Sequence, residues 1–197
     1  MKTVLFCISL LSVTSSFAQN MEVGVSGGGM FNKVLARGDY GTNEDQYFLT
    51  SVHAAYSSRH WQYRLAIGFG THSKYSEEPM MGGLIERFNT KYTRVPVHFS
   101  VNRKVRLNRF ELHSGFIAGV IFANNTRRYA SEYNNSQDGS THDFHWYSVG
   151  LNAGGTYFIT KHIGMNLNAA VLYNNYDQIL DGFTSFPVTV GVVYAFK

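Results

Sequence analysis

The 197-residue chain is short of charge, of proline and of cysteine. Asp, Glu, Lys and Arg make up 15% of it, Pro occurs 3 times, and Cys7 stands alone. A single Cys excludes an intrachain disulfide framework. Cys7 lies near the start of an N-terminal apolar run rather than at its end, where a lipid-anchored Cys would be needed, so the mature chain carries no thiol chemistry. The formal net charge of +4 is mild and spread along the chain, which gives no case for nucleic-acid binding. No run of about 18 apolar residues follows the N-terminal segment, so no transmembrane helix is expected. What is abundant is aromatic residues, 15% of the chain, and Gly, at 19. Such a chain can bury enough surface to fold, which excludes disorder, and its Gly, Tyr, Phe, Thr and Asn argue against a helical bundle.

The first residues read as an address. Met1-Lys2 is a positive start, Val4 to Leu11 is apolar, and Ser16-Phe17-Ala18 places small residues where a signal peptidase reads. Residues 1–18 are therefore expected to be a secretory signal peptide and residues 19–197 one barrel domain. The alternative is a buried N-terminal strand.

Period-two alternation dominates the rest, the mark of strands with two different faces. In the last segment Phe186, Val188, Val190, Val192, Tyr194 and Phe196 oppose Pro187, Thr189, Gly191, Val193 and Ala195. Ile163, Met165, Leu167, Val171 and Tyr173 likewise oppose Gly164, Asn166, Asn168 and Asn174. The same rule holds around Tyr147–Ile159, Phe110–Phe122, Arg94–Val101, Trp61–Gly70 and Phe48–Tyr56, and more weakly around Glu22–Phe31. This makes eight strands of about ten residues, the length of a tilted strand crossing a bilayer. Connections alternate in length: short near Ser57–His60, Asn102–Arg106 and Thr160–His162, longer near Asn32–Gln46, His72–Thr90, Asn124–His142 and Asn174–Ser185. Outer-membrane barrels have short periplasmic turns and longer external loops, which puts both termini in the periplasm. The fold class is all-β, an eight-stranded antiparallel up-and-down transmembrane barrel.

Alternation alone does not say which face points inward, and a soluble lipocalin-like binding barrel would bury the apolar one. Lipid is favoured because the opposite face is crowded with Gly, Ala, Ser and Asn. Aromatics also end the apolar faces, and Tyr56, Trp61, Tyr157, Tyr173, Phe186, Tyr194 and Phe196 are the expected interfacial girdle. Glu22, His53, Arg64, Arg94, His98, Glu111 and His113 then point into the lumen. An eight-stranded barrel is just wide enough for side chains to fill, so a packed, charge-paired core is expected.

With the signal segment and the alternation, the ending Val190-Gly191-Val192-Val193-Tyr194-Ala195-Phe196-Lys197 looks like that of a small outer-membrane barrel. The strand Tyr92-Thr93-Arg94-Val95-Pro96-Val97-His98-Phe99, with its central Pro, resembles the outer-membrane β-barrel ("porin family") proteins of Bacteroidota, including PorT-like members. The architecture resembles the OmpA and OmpX barrels. The resemblance implies location and fold more than activity, and it implies insertion by the barrel-assembly machinery. Lys197 after the terminal Phe196 departs from the family's aromatic end.

Some small membrane barrels that modify lipid A use a His with a Ser or an acid near the outer leaflet. A hydroxyl becomes a nucleophile only when an imidazole can take its proton. His98 and Ser100 share a face, but that face is the lumen. His72, Ser73, Ser76, Glu77 and Glu78 gather at the start of the second long connection, and His142, Asp143 and His145 at the end of the third. Neither has a known ligand spacing. Gly27-Gly28-Gly29 lacks the Lys-Ser/Thr of a nucleotide loop and reads as a site of bending or close packing. Arg127-Arg128 could pair with lipopolysaccharide phosphates. Lys161, Arg103, Lys104, Arg106 and Arg109 make the short-turn side basic. The expectation is a non-enzymatic anchor in the outer membrane presenting four external loops for adhesion, envelope integrity or docking. Its partners would be outer-membrane lipids and lipopolysaccharide, with no cofactor, no metal and no nucleic acid. The alternatives are a narrow or gated transport-associated barrel and an outer-leaflet lipid-modifying enzyme.

Overall fold

The computed structural model describes residues 20–34, 45–79, 85–129, 140–176 and 179–196. The signal segment and Lys197 lie outside the described residues. Eight strands follow one another: β1 (Met21–Val34), β2 (Asp45–Ser57), β3 (Trp61–Pro79), β4 (Ile85–Leu107), β5 (Phe110–Tyr129), β6 (Ser140–Phe158), β7 (Ile163–Tyr176) and β8 (Ile179–Ala195). Each pairs antiparallel with the next, and β1 pairs with β8, so the sheet closes and no edge is left. Val25 shows the closure, standing opposite Val52 on one side and Val192 on the other.

The strands are longer than the expected ten residues, running from 13 in β2 to 23 in β4. Alternation in sequence stops where the outer face no longer needs to be apolar, but the hydrogen-bond ladder continues. Pairing reaches Pro79↔Ile85 between β3 and β4, Phe88↔Tyr129 between β4 and β5, and Arg127↔Ser140 between β5 and β6. Most of the expected second loop, His72–Thr90, is thus strand, as are both ends of the third, Asn124–Tyr129 and Ser140–His142. Four consecutive strands form a wall that rises past their neighbours. At the other end the β4–β5 connection is tighter than Asn102–Arg106 suggested. The ladder runs to Leu107↔Phe110, leaving Asn108-Arg109 as the turn. Asn108 has φ 57°, a left-handed conformation that Asn tolerates better than most residues.

The faces are inverted relative to a soluble protein. Large apolar side chains on all eight strands point outward: Val25, Val52, Leu65, Phe99, Phe116, Leu151, Leu167 and Val190 are all exposed, Phe116 to 72%. The interior carries Glu22, His53, Arg94, Asn102, Glu111 and His113 buried. Small inner residues let the wall curve tightly. A Cβ on Gly28 would lie 1.9 Å from the Val188 carbonyl oxygen, and one on Gly150 1.9 Å from that of Val171. Only Gly permits the next strand to wrap that closely.

Candidate functional site

The barrel lumen with its two mouths is the candidate site, because every inward charged side chain meets there. At the short-turn mouth Phe158, Val193 and Ala195 pack as a buried apolar cluster. The Arg106 guanidinium lies 5.7 Å from the Phe158 ring centre. Just inside, Lys104 Nζ stands 3.3 Å from Glu111 Oε1, with the Glu111 side chain 3% exposed. Glu22 accepts from Ser57 Oγ at 3.2 Å and from Gln62 Nε2 at 3.4 Å. The chain of bonds continues as Asn102 Nδ2 donates to Gln62 Oε1 and to Ser100 Oγ, each at 3.2 Å.

Two rows further in share one construction. Arg64 Nη1 donates to Asn168 Oδ1 at 2.9 Å, and His113 Nε2 lies 2.7 Å from the same oxygen. His113 is on β5 and Asn168 on β7; the residue registered between them on β6 is Gly154. A Cβ there would sit 2.5 Å from Asn168 Oδ1 and 2.7 Å from His113 Nε2, so the missing side chain is what lets the two meet. In the second row His98 Nε2 lies 3.0 Å from Ser148 Oγ, across Gly119. A Cβ on Gly119 would fall 2.6 Å from His98 Cδ2. His53 is held over Gly24 in a similar way, its Cε1 2.6 Å from where a Cβ would be. Beside these rows is a cavity of about 90 Å³ lined by Arg64, His98, Asn152 and Asn168 among others. It has room for a few water molecules, not for a substrate.

Above the cavity Met30, Tyr47 and Leu49 form an apolar layer in which Tyr47 Oη donates to Met30 Sδ. Ile121 and Leu172 on the opposite wall are also fully buried. The far mouth is closed by stacked rings. Arg94 is sandwiched between Tyr47 at 5.1 Å and Trp146 at 5.0 Å. His72 stacks on Tyr47 at 5.8 Å and on Tyr92 at 4.7 Å, and Phe183 meets Trp146 edge-on at 5.3 Å. The polar interior therefore has an apolar cluster at its short-turn end and an apolar layer topped by stacked rings at the other.

All seven residues expected in the lumen have inward positions. Glu111 takes Lys104; Glu22 is bound by Ser57 and Gln62; Arg64 and His113 converge on Asn168; Arg94 is held by rings. Sequence reading missed Lys104, Ser148, Asn168, Tyr47 and Trp146. His98 and Ser100 share the inner face as read, and there Ser100 accepts from Asn102 while His98 bonds Ser148, 50 residues away. Period two reports which residues share a face of one strand; it does not report which residues two strands apart share a level.

The girdle aromatics all face outward, with Trp61, Tyr157, Tyr194 and Phe196 at the short-turn end beside Tyr56, and Tyr173 and Phe186 at the other. Phe31, Phe48, Phe69, Phe122 and Tyr147 join the latter, exposed and not singled out by sequence. The two His clusters considered for chemistry are divided by the wall. His72 lies inside between rings, while His145 is exposed on the outside, edge-on to Tyr147 at 5.8 Å. The side chains of Ser76, Glu77, Glu78, Arg127, His142 and Asp143 lie outside the described residues. Among the described residues no three of His, Cys, Asp or Glu are grouped to hold a metal ion. His98 and Ser148 make a base–hydroxyl pair, but a nucleophile also needs an orienting group on the base and access for substrate. Both residues are buried in the polar core, where the bond serves packing.

No protein-family model matches this chain, and no curated protein matches it by sequence. Its fold is similar to that of Ail, the attachment invasion locus protein of Yersinia pestis (TM-score 0.56, 12% identity, covering 89% of this chain and 98% of that one). It is also similar to outer membrane protein OprG of Pseudomonas aeruginosa (TM-score 0.54, 14% identity, 90% and 97% covered). A third likeness is to a major outer membrane protein of Thermus thermophilus (TM-score 0.54, 13% identity, 89% and 99% covered). At such identities the likeness establishes a shared fold, the closed eight-stranded antiparallel barrel.

Proposed function

We propose that this chain is an integral outer-membrane protein of a Gram-negative bacterium, a compact anchor that carries a surface for adhesion, envelope integrity or partner docking. The observation that carries this reading is the inverted barrel: apolar side chains exposed on all eight strands around a buried polar interior. A soluble monomer rarely exposes an apolar patch above a few hundred Å². In hydrocarbon the same belt is favourable, and a closed sheet pairs its backbone donors and acceptors between neighbouring strands. The names of two structural neighbours, both outer membrane proteins, agree. In this reading residues 1–18 are a signal peptide, both termini are periplasmic, the girdle aromatics sit at the interfaces, and the barrel-assembly machinery inserts the chain. The Bacteroidota, PorT-like resemblance belongs here too, as does contact of the Arg128 end with lipopolysaccharide.

The lumen, with apolar groups at both ends, favours an anchor over a transport path. The divided His72 and His145 give no support to lipid chemistry. What is presented is less a set of four loops than the wall of β3–β6, whose ladders extend to Pro79↔Ile85 and Arg127↔Ser140. Fractionation followed by an unheated and a boiled SDS gel tests the location. The expected result is a membrane pellet and a shift in apparent size on boiling. A soluble periplasmic protein with no shift would overturn the reading and make the apolar face a problem of oligomerisation instead. Trimming the β3–β4 and β5–β6 tips should then abolish adhesion or docking while the heat shift persists.

A further inference from the structure

The charges of this barrel are segregated along its axis. Among the described residues the acids of the short-turn half are Glu22 and Glu111, and both are buried inside. The outer surface of that end carries Arg59, Arg103, Arg109 and Lys161, all exposed, with no exposed acid among the described residues. Lys104 turns inward to Glu111 and does not contribute. Arg103 lies 5.6 Å from the ring centre of Trp61, which is itself 43% exposed. A guanidinium stacked on indole keeps its N–H edge in its own plane, ready for two-point contact with a phosphate.

A second, independent feature adjoins this rim. On the outer wall of β8, β1, β2 and β3 a hollow of about 660 Å³ is lined by Val23, Val25, Val52, Leu65, Ile67 and Val192. It is continued past the outward-facing Gly27 by another of about 580 Å³. The strand order places the β2–β3 turn, with Arg59, on one side of the hollow and the β6–β7 turn, with Lys161, on the other. An acidic protein or polymer would use the cations and have no use for an apolar groove. A lipid uses both.

We propose that the short-turn rim and this groove form a binding surface for anionic glycerophospholipid, the phosphates held by the turn cations and an acyl chain lying along β1. The proposal rests on the membrane reading and adds to it a preference of the leaflet at the turn end. The test is native mass spectrometry of the full mature chain released from detergent with equal phosphatidylglycerol and phosphatidylcholine. The wild type should retain phosphatidylglycerol in about tenfold preference at low salt, falling steeply at high salt. The combined change Arg59→Gln, Arg103→Gln, Arg109→Gln and Lys161→Gln should bring the two lipids to parity. Ala54→Phe, filling the groove, should lower retention at least about threefold. Lys74→Gln, Lys91→Gln and Arg128→Gln, at the far end, should leave the preference intact. Parity in the wild type, or an equal loss from the far-end changes, overturns the proposal. Each sample is first inserted into pure phosphatidylcholine vesicles and checked for the heat shift. Failure to insert there refutes the membrane reading itself; insertion with lipid parity refutes only the lipid surface.

Discussion

Replacing Lys104 by Met separates a packed core from a water-lined pore. Glu111 is 3% exposed, and Lys104 Nζ is 3.3 Å from its carboxylate. If the lumen is sealed, the change strands a buried charge, a loss of about 3–5 kcal/mol when one partner of a buried pair is removed. If water reaches the site, the carboxylate is solvated and the loss falls to about 0–1 kcal/mol, as for exposed pairs. Glu111→Leu alone strands the Lys, which is 12% exposed and near the mouth, so its loss should be smaller. The double change Lys104→Met with Glu111→Leu removes both charges and should return to within about 1–2 kcal/mol of wild type, since apolar replacements of buried pairs are often neutral. The assay is urea unfolding in lipid vesicles, followed by tryptophan fluorescence and by the unheated gel band. The cycle should give a coupling of at least about 2 kcal/mol. A Lys104→Met variant as stable as wild type, or losses that simply add in the double variant, would refute the sealed core and reopen the transport reading.

Three further outcomes follow from the same geometry. Gly154→Ala should destabilise by roughly 2–4 kcal/mol by overpacking the His113–Asn168 row and breaking its bond, whereas Gly155→Ala, whose Cβ would meet only the flexible end of Leu112, its Cδ2, at 3.1 Å, should be neutral to slightly stabilising; vesicle unfolding compares them. Val190→Arg, in the middle of the outward belt, should lose about 2–4 kcal/mol in vesicles, while Ser73→Arg on the exposed part of β3 should change stability by less than about 1 kcal/mol; equal effects would deny that the belt meets hydrocarbon. Arg94→Ala removes a double ring sandwich and should lower stability by about 1–4 kcal/mol, yet produce no conductance steps in a planar bilayer, because Met30, Leu49, Ile121 and Leu172 still seal the layer beneath.

The fold was legible because a two-faced strand writes its geometry into every second residue. Phe186 to Phe196 and Ile163 to Tyr173 each specify one strand and its outward face, whereas the expected long connection Asn174–Ser185 is strand except at residues 177–178, which lie outside the described residues. What sequence could not show was the length of the strands beyond the belt. Past Gly70 and Ala123 polar residues stand on both faces, so the period fades while the backbone ladder runs on to Pro79 and Tyr129. The pairings inside the lumen were hidden for a different reason. His98–Ser148 and His113–Asn168 each bridge two strands separated by a third, so no spacing within one strand reveals them. A signal did exist in the short turns. Taking Asn108-Arg109 as the turn fixes His98 opposite Gly119, and a Gly facing an inward His is a cue that the imidazole reaches past it.

The His–Gly–polar rows also bear on where function resides. Eight strands leave little room inside, and the large polar side chains stand beside small neighbours: Arg64 between Ala55 and Ser100, Glu22 between Ala55 and Ala195. Gly119 and Gly154 make that room for His98 and His113, and Gly24 makes it for His53. His98 and His113 are then held by partners on other strands, which ties together elements far apart in sequence with no Cys among the described residues. Buried polar atoms without a partner remain, among them Arg64 Nε, Asn152 Oδ1 and Asn168 Nδ2 beside the small cavity, which has room for water rather than for a substrate. On the proposed reading recognition falls to the outer surfaces: the β3–β6 wall at one end and the cationic rim at the other. The two ends differ in strand length and in the charge of their described outer surfaces, the asymmetry on which the proposed docking wall and the proposed lipid rim each draw.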